Sequence, residues 1–156
     1  MFLGIDIGTT SIKALVVQEE GKIMDSFSRP LQVFSPDSLS REQDPQHWQE
    51  AVLALLHQVS ERHEIVSIGL AGQMHSLVLL DDRDRPLRPS ILWCDQRTTE
   101  ECRKLTEKLG GESEVIRRVG NPFFEGFTLP KIQWVKTHEP ENYRNACSIL
   151  PSLLPP

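Results

Sequence analysis

No cluster of Lys or Arg occurs in this sequence, and acidic residues outnumber basic ones by 22 to 17, for a formal net charge of −5. A nucleic-acid interface needs clustered cations to meet phosphates, so a nucleic acid is not an expected partner. No apolar run approaches the ~20 residues that cross a bilayer, and no basic region precedes the first apolar residues. We therefore expect neither a membrane partner nor a secretory leader.

Cysteine is scarce and irregularly spaced. The three cysteines are Cys94, Cys102 and Cys147, and no pair has the CxxC spacing of a zinc or redox site. An odd number of thiols without a regular framework favours reduced cysteines in a reducing compartment. The sequence therefore predicts a cytoplasmic protein and argues against a disulfide scaffold. A small metabolite or a protein is the expected partner.

The apolar residues that are present predict an α/β domain. At 156 residues the chain has the length of about one domain. Alternation over residues 2–7 and a β-favouring run over 12–17 predict a hairpin, and residues 23–34 predict a third strand that ends near Pro30. Three meandering strands are thus expected to open the fold. Shorter strands are predicted over 65–71 and 77–80.

Helices are indicated after this meander. Asp44 followed by Pro45 predicts a helix start, and apolar residues at helical spacing continue the helix to about Arg62. Residues 148–156 are rich in Pro and are expected to hold no regular element. Further helices are predicted over 98–109, 112–119, 128–138 and 139–146. The tryptophans expected to anchor the core are Trp48, Trp93 and Trp134.

A polar turn follows the first strand, although the common phosphate loops GxxxxGK[ST] and GxGxxG are absent. Asp6 lies on an otherwise apolar strand, where a buried carboxylate would need donors, a cation or a solvated ligand. The alternative is a tight turn with Asp6 facing solvent at a strand edge. Backbone N–H groups, hydroxyls and an ammonium could ring a phosphate here. They belong to Gly8, Thr9, Thr10, Ser11 and Lys13.

Five blocks of sequence resemble one known family. The segment DIGTTSIK at 6–13 resembles the first phosphate motif of the superfamily of actin, heat-shock chaperones and sugar kinases. The segment AGQMH at 71–75 resembles the substrate loop of xylulokinases, which belong to the FGGY family of carbohydrate kinases. The other blocks are SREQDP at 40–45, ILWCDQRT at 91–98 and GNPFFEGFTLPKIQWV at 120–135. The resemblance runs through Leu150.

This resemblance implies a fold and a domain organisation. The fold is a ribonuclease H-like mixed sheet, opened by a three-strand meander and accompanied by helices. Residues 1–150 would form the N-terminal, sugar-side domain, which we expect to be incomplete. Residues 151–156 depart from the family pattern as a Pro-rich tail, and the C-terminal ATP-binding domain is expected to be absent. A frameshift, a premature stop or a fragment would explain that ending.

The resemblance also implies roles for residues. Asp6 would act as an auxiliary catalytic group that holds the water shell of Mg²⁺ or the transferring phosphoryl group of ATP, while the main catalytic base would lie beyond position 156. The phosphate-binding residues would be Gly8, Thr9, Thr10, Ser11 and Lys13. The substrate-binding residues would be Gln73, Met74, His75, Asp95, Gln96 and Arg97.

The implied activity is transfer of a phosphoryl group from ATP to a ketopentose, with D-xylulose favoured. Cys94 stands where xylulokinases more often have Asn, and MHSL at 74–77 also resembles gluconokinases, so the sugar stays open. We expect the chain alone to be inactive. The alternatives are a sugar-binding or regulatory half that works with a separately encoded C-terminal partner or as a homodimer, and a non-kinase ATPase of the same superfamily. The blocks at 71–75 and 91–98 disfavour the ATPase.

Overall fold

A computed structural model describes residues 1–150, which divide into two compact units. The first unit comprises Met1–Val33 and Asp44–Gln73, and the second comprises residues 34–43 and 74–150. In chain order, the elements are β1 (Phe2–Ile7), β2 (Ser11–Val17), β3 (Ile23–Pro30), β4 (Glu42–Gln43), α1 (Pro45–Ser60), β5 (Ser67–Gly72), β6 (Val78–Leu80), β7 (Ser90–Ile91), α2 (Thr99–Lys108), α3 (Glu112–Val119), α4 (Thr128–His138), α5 (Pro140–Asn145) and β8 (Ser148–Leu150).

The first unit is built on a mixed sheet with the strand order β3-β2-β1-β5. The first three strands form the predicted antiparallel meander, and β5 pairs with β1 in the parallel direction. Alternation buries one face of β1 and β2, and α1 packs against β2 and β3. The α/β prediction is confirmed. The buried strand residues are Leu3, Ile5, Ile7, Ile12, Ala14 and Val16.

Helix α1 begins where the sequence predicts it. The Asp44 carboxylate accepts a hydrogen bond from the backbone N–H of Gln46 at 2.9 Å, and Pro45 occupies the first turn. A carboxylate at this position accepts from a backbone N–H that would otherwise be unpaired, and Pro has no N–H to leave unpaired in the first turn. Trp48, Leu55 and Val59 are the buried residues of the helix, so the apolar stripe covers the sheet.

The second unit contains two small sheets and four helices among the described residues. Strand β4 pairs with β7, and β6 pairs with β8, both antiparallel. Helix α4 packs against α2 and α5. Between residues 1 and 150 no helix is long and apolar enough to cross a membrane. The core of this unit is formed by Leu77, Leu79, Ile91 and Val135.

Two predictions about this unit are wrong. Residues 148–150 form β8, where Leu79 pairs with Ile149, although no regular element was expected there. Trp93 is 48% exposed and is not a core anchor, whereas Trp48 is buried as expected. The first error comes from a partner distant in sequence, which a local pattern does not contain. The rest of the predicted tail, 151–156, lies outside the described residues.

Candidate functional site

The first group of predicted site residues lies at one end of the sheet in the first unit. Strands β1 and β5 run parallel in register, so that Ile7 lies beside Gly72 at their carboxyl ends. The backbone N–H of Gln73 donates to the carbonyl of Ile7 at 3.1 Å. Open α/β sheets bind ligands at the carboxyl ends of parallel strands. Asp6, the turn that follows β1 and Gln73 share this end.

Asp6 is exposed, which corrects the premise that its carboxylate is buried among apolar neighbours. The apolar residues of β1 point to the opposite face of the sheet, and Asp6 faces outward beside Lys13 of β2 and Ala71 of β5. Strand β1 is also central in the sheet, so Asp6 does not lie at a strand edge. Within residues 1–150, its carboxylate makes no hydrogen bond or ion pair. The group is open to a ligand.

The turn between β1 and β2 is tight. The N–H of Gly8 donates to the carbonyl of Ser11 at 3.1 Å, and a Cβ at position 8 would lie 3.0 Å from that same oxygen. The Thr9 hydroxyl donates to Oε1 of Gln73 at 3.2 Å, and Thr10 is exposed. Thr9 and Gln73 therefore join the carboxyl ends of two parallel strands. Gln73, expected at the sugar, is bonded to the turn assigned to phosphate.

The residues at this end fit a hydrated magnesium ion better than a metal ion coordinated only by protein side chains. Among the described residues, no group of three or more His, Cys, Asp or Glu side chains could hold a metal ion. Mg²⁺ keeps several waters and commonly uses one or two carboxylates. A single exposed carboxylate at Asp6 suits an ion that arrives with a phosphate ligand and its own waters.

A strained turn begins the second unit. The N–H of Ser76 donates to the carbonyl of Met74 at 2.9 Å, which closes a three-residue turn around His75. His75 has a φ of 63°, a left-handed conformation that costs a residue other than Gly about 1–3 kcal/mol. Met74 is 69% exposed, and His75 is exposed beside it. Strain at an exposed polar residue is typical of functional sites.

Aromatic residues surround this turn. The His75 and Phe127 rings lie 4.8 Å apart, and Phe124 packs edge-on against Phe127 at 5.5 Å. The backbone N–H of Trp93 donates to the hydroxyl of Ser76 at 3.2 Å, and the carbonyl of Trp93 abuts Gly126. A half-exposed aromatic surface with a few polar groups is typical of small-molecule sites. Sequence reasoning missed these aromatics, although a loop with three Phe residues was a signal.

Asp95 and Arg97 form a buried ion pair. The Asp95 carboxylate accepts from the backbone N–H of Arg41 at 2.6 Å and from that of Arg97 at 3.0 Å, and it receives the Arg97 guanidinium at 2.8–3.1 Å. Arg97 also contacts Glu42 at 2.7 Å, and its guanidinium lies 4.8 Å from the ring centre of Trp134. Both Asp95 oxygens are thus occupied by protein donors.

This geometry argues against the expected direct contact between Asp95 and a substrate, which stays a prediction. The Asp95 side chain is fully buried, and a sugar hydroxyl would have to displace a charged hydrogen bond to reach it. The Arg97 guanidinium is likewise occupied, by Asp95 and Glu42. Gln96, which lies between Asp95 and Arg97 in the sequence, is exposed. No described contact joins His75 with this pair. The two residues are better suited to hold the 95–97 segment than to touch a ligand.

Solved structures of sugar kinases share this fold. The chain superposes on the xylulose kinase of Rhodospirillum rubrum with a TM-score of 0.89 at 30% identity, covering 96% of this chain and 32% of that one. The gluconate kinase of Lactobacillus acidophilus gives a TM-score of 0.87 at 25% identity, covering 96% and 30%. The fold is therefore that of the sugar kinases, as the resemblance implied.

The family model for the N-terminal domain of the FGGY family of carbohydrate kinases matches residues 1–152, and the chain belongs to that family. It is 40% identical over 145 residues to the xylulose kinase of Staphylococcus xylosus, which covers 91% of this chain and 30% of that protein. The chain thus spans about a third of the length of the curated relatives it matches. The family prediction is confirmed.

Proposed function

We propose that this chain supplies the sugar-binding side of an ATP-dependent carbohydrate kinase whose substrate is a ketopentose, with D-xylulose favoured. The observation that carries the proposal is the strained, exposed turn at Met74 and His75, set against an aromatic surface in a chain 40% identical to a xylulose kinase. An exposed polar group on an apolar wall suits a polyol, which has hydroxyls on a carbon skeleton.

The roles on the sugar side follow from side-chain chemistry. The His75 imidazole can donate to one hydroxyl and accept from another, and the Met74 thioether can pack on the carbon skeleton. The exposed amide of Gln96 is free to reach a hydroxyl, because the buried pair of Asp95 and Arg97 holds its backbone in place. Asp95 and Arg97 would thus position Gln96 without contacting the substrate themselves.

The roles on the phosphate side belong to the first unit. MgATP supplies the phosphoryl group when it is bound. The exposed Asp6 carboxylate would bind the waters of the metal, and Gly8, Thr9 and Lys13 would offer a backbone N–H, a hydroxyl and an ammonium to phosphate oxygens. Thr10 and Ser11 add hydroxyls in the same turn. Such positioning and charge neutralisation are the main contributions of protein groups to phosphoryl transfer.

The 156 residues by themselves are proposed to bind sugar without phosphorylating it, because the resemblance places the main base beyond position 156. Calorimetry with D-xylulose, D-ribulose, D-gluconate and glycerol tests binding, and a coupled ADP-release assay tests turnover. We expect binding of a ketopentose and no turnover. Binding of none of the four sugars would remove the proposed substrate class, and robust turnover would show that the base lies within these residues.

A second candidate is a gluconate-type kinase. The similarity in fold to the Lactobacillus acidophilus gluconate kinase and the MHSL block at 74–77 favour it. The same sugar panel separates the two candidates, since tighter binding of D-gluconate than of D-xylulose would favour this one. A separately encoded partner or a homodimer is proposed as the completing element. Sedimentation of the chain, alone and with cell extract that contains the complementary domain, would test that proposal.

A further inference from the structure

Lys131, near the start of α4, is a buried charge with unusual partners. Its side chain is completely buried, whereas Lys is almost never fully buried unless it is paired. Among residues 1–150 it forms no ion pair with a carboxylate. Its ammonium instead donates to two backbone carbonyls, that of His75 at 2.8 Å and that of Gly126. A charge held by main-chain oxygens needs an explanation, because its burial is costly.

The Lys131 ammonium holds the strained backbone of His75. His75 is one of only two residues other than Gly with positive φ among the described residues, and strained conformations persist when surrounding groups fix them. The His75 carbonyl receives a second hydrogen bond, from the Thr128 hydroxyl at 3.3 Å. The His75 ring packs on Phe127. Residues 127–131 thus hold both the backbone and the ring of His75.

We infer that Lys131 is a positioning residue for the sugar site: its bonds to the carbonyls of His75 and Gly126 keep the turn left-handed and aim the imidazole at the substrate. This inference rests on the proposed function only for the identity of the ligand. The second carbonyl matters because Gly126 lies against the backbone of Trp93. The same ammonium therefore ties the 74–76 turn to the aromatic loop.

The charge of Lys131 supports this role. Burial lowers the pKa of Lys131 to about 8, although the Asp95 carboxylate opposes the shift. The groups that face it are Asp95, Cys94, Cys102 and Arg97. Loss of the proton removes charge assistance from both carbonyl bonds. Sugar affinity is therefore expected to fall as pH rises through about 8, and this fall should vanish in a variant without the ammonium.

The test compares Lys131→Met, which keeps an unbranched apolar stem without a donor, with Lys136→Met. Lys136 lies on the same helix but is exposed, so it is a matched control. The readouts are the imidazole signal of His75 in the NMR spectrum of the sugar-free protein, assigned by its loss in His75→Ala, and D-xylulose affinity by calorimetry. We expect Lys131→Met to move or broaden that signal and to weaken affinity at least tenfold, with no change in Lys136→Met.

An unchanged His75 signal in folded Lys131→Met would overturn the inference. If that variant fails to fold, Thr128→Val removes the other bond to the same carbonyl, and a smaller change of the same signal is expected. An unchanged signal in Thr128→Val would then count against the inference. A changed signal in a protein that binds none of the sugars would support the positioning role and would refute the proposed function, so the two failures are distinguishable.

Discussion

Replacing Asp95 with Asn tests whether this residue holds the site or touches the substrate. An Asn keeps one carbonyl oxygen for the backbone N–H and Nε of Arg97. Its amide nitrogen, however, would face two other donors, the N–H of Arg41 and Nη2 of Arg97. Two charge-assisted hydrogen bonds, worth about 2 kcal/mol each, are lost. We therefore expect the free energy of unfolding to fall by about 4 kcal/mol.

Urea denaturation followed by tryptophan fluorescence measures this change as a lower midpoint at an unchanged slope. Asp82→Asn is the control, because Asp82 is exposed and its substitution should change stability by less than about 0.5 kcal/mol. An Asp95→Asn variant that is as stable as the wild type yet has lost sugar affinity would contradict the positioning role of Asp95. That result would restore the direct substrate contact expected from the sequence.

Further predictions concern the turn, the buried lysine and the first helix. Gly8→Ala should lower the free energy of unfolding by about 1 kcal/mol, since its Cβ would lie 3.0 Å from the carbonyl of Ser11. A Cβ at Gly4, on strand β1 just before this turn, would have nothing within 4 Å, so Gly4→Ala should be neutral in the same urea titration. Equal costs for the two substitutions would contradict this explanation. The pKa of Lys131 is lowered by burial to about 8, against about 10.4 for a free Lys. Between these two pH values the unfolded chain holds a proton that the folded chain has released. The stability of the wild type relative to Lys131→Met should therefore rise by roughly 2.5 kcal/mol from pH 8 to about pH 10.4. A difference that stays flat with pH would show that Lys131 titrates normally. Asp44→Ala should cost about 1 kcal/mol through loss of the bond to Gln46, and circular dichroism during thermal unfolding would detect it, while an unchanged midpoint would contradict the cap.

Elements with local signals were predictable from the sequence. Asp44 and Pro45 mark the start of α1, and α3 ends at Gly120, whose φ of 84° suits a glycine. The alternation in β1 and β2 likewise predicts the meander and the face that is buried. In each case the determining atoms lie within a few residues of one another, so a local pattern contains the information.

Features that depend on distant partners were not predictable. Strand β8 exists because Ile149 pairs with Leu79, and Asp95 is occupied because the N–H of Arg41 reaches it. The positive φ of His75 likewise depends on Lys131, which lies 56 residues along the chain. The AGQMH motif still indicated this exposed turn, through its resemblance to the substrate loop of xylulokinases. It could not indicate which neighbouring residues hold that turn.

The turn at His75 is proposed to bind a sugar. Calorimetry of D-xylulose binding to the wild type, His75→Ala and the control His57→Ala tests this most directly, since His57 is exposed on α1 of the other unit. We expect measurable binding to the wild type and to His57→Ala, and a loss of at least tenfold in affinity for His75→Ala. Equal affinity in all three proteins would contradict it.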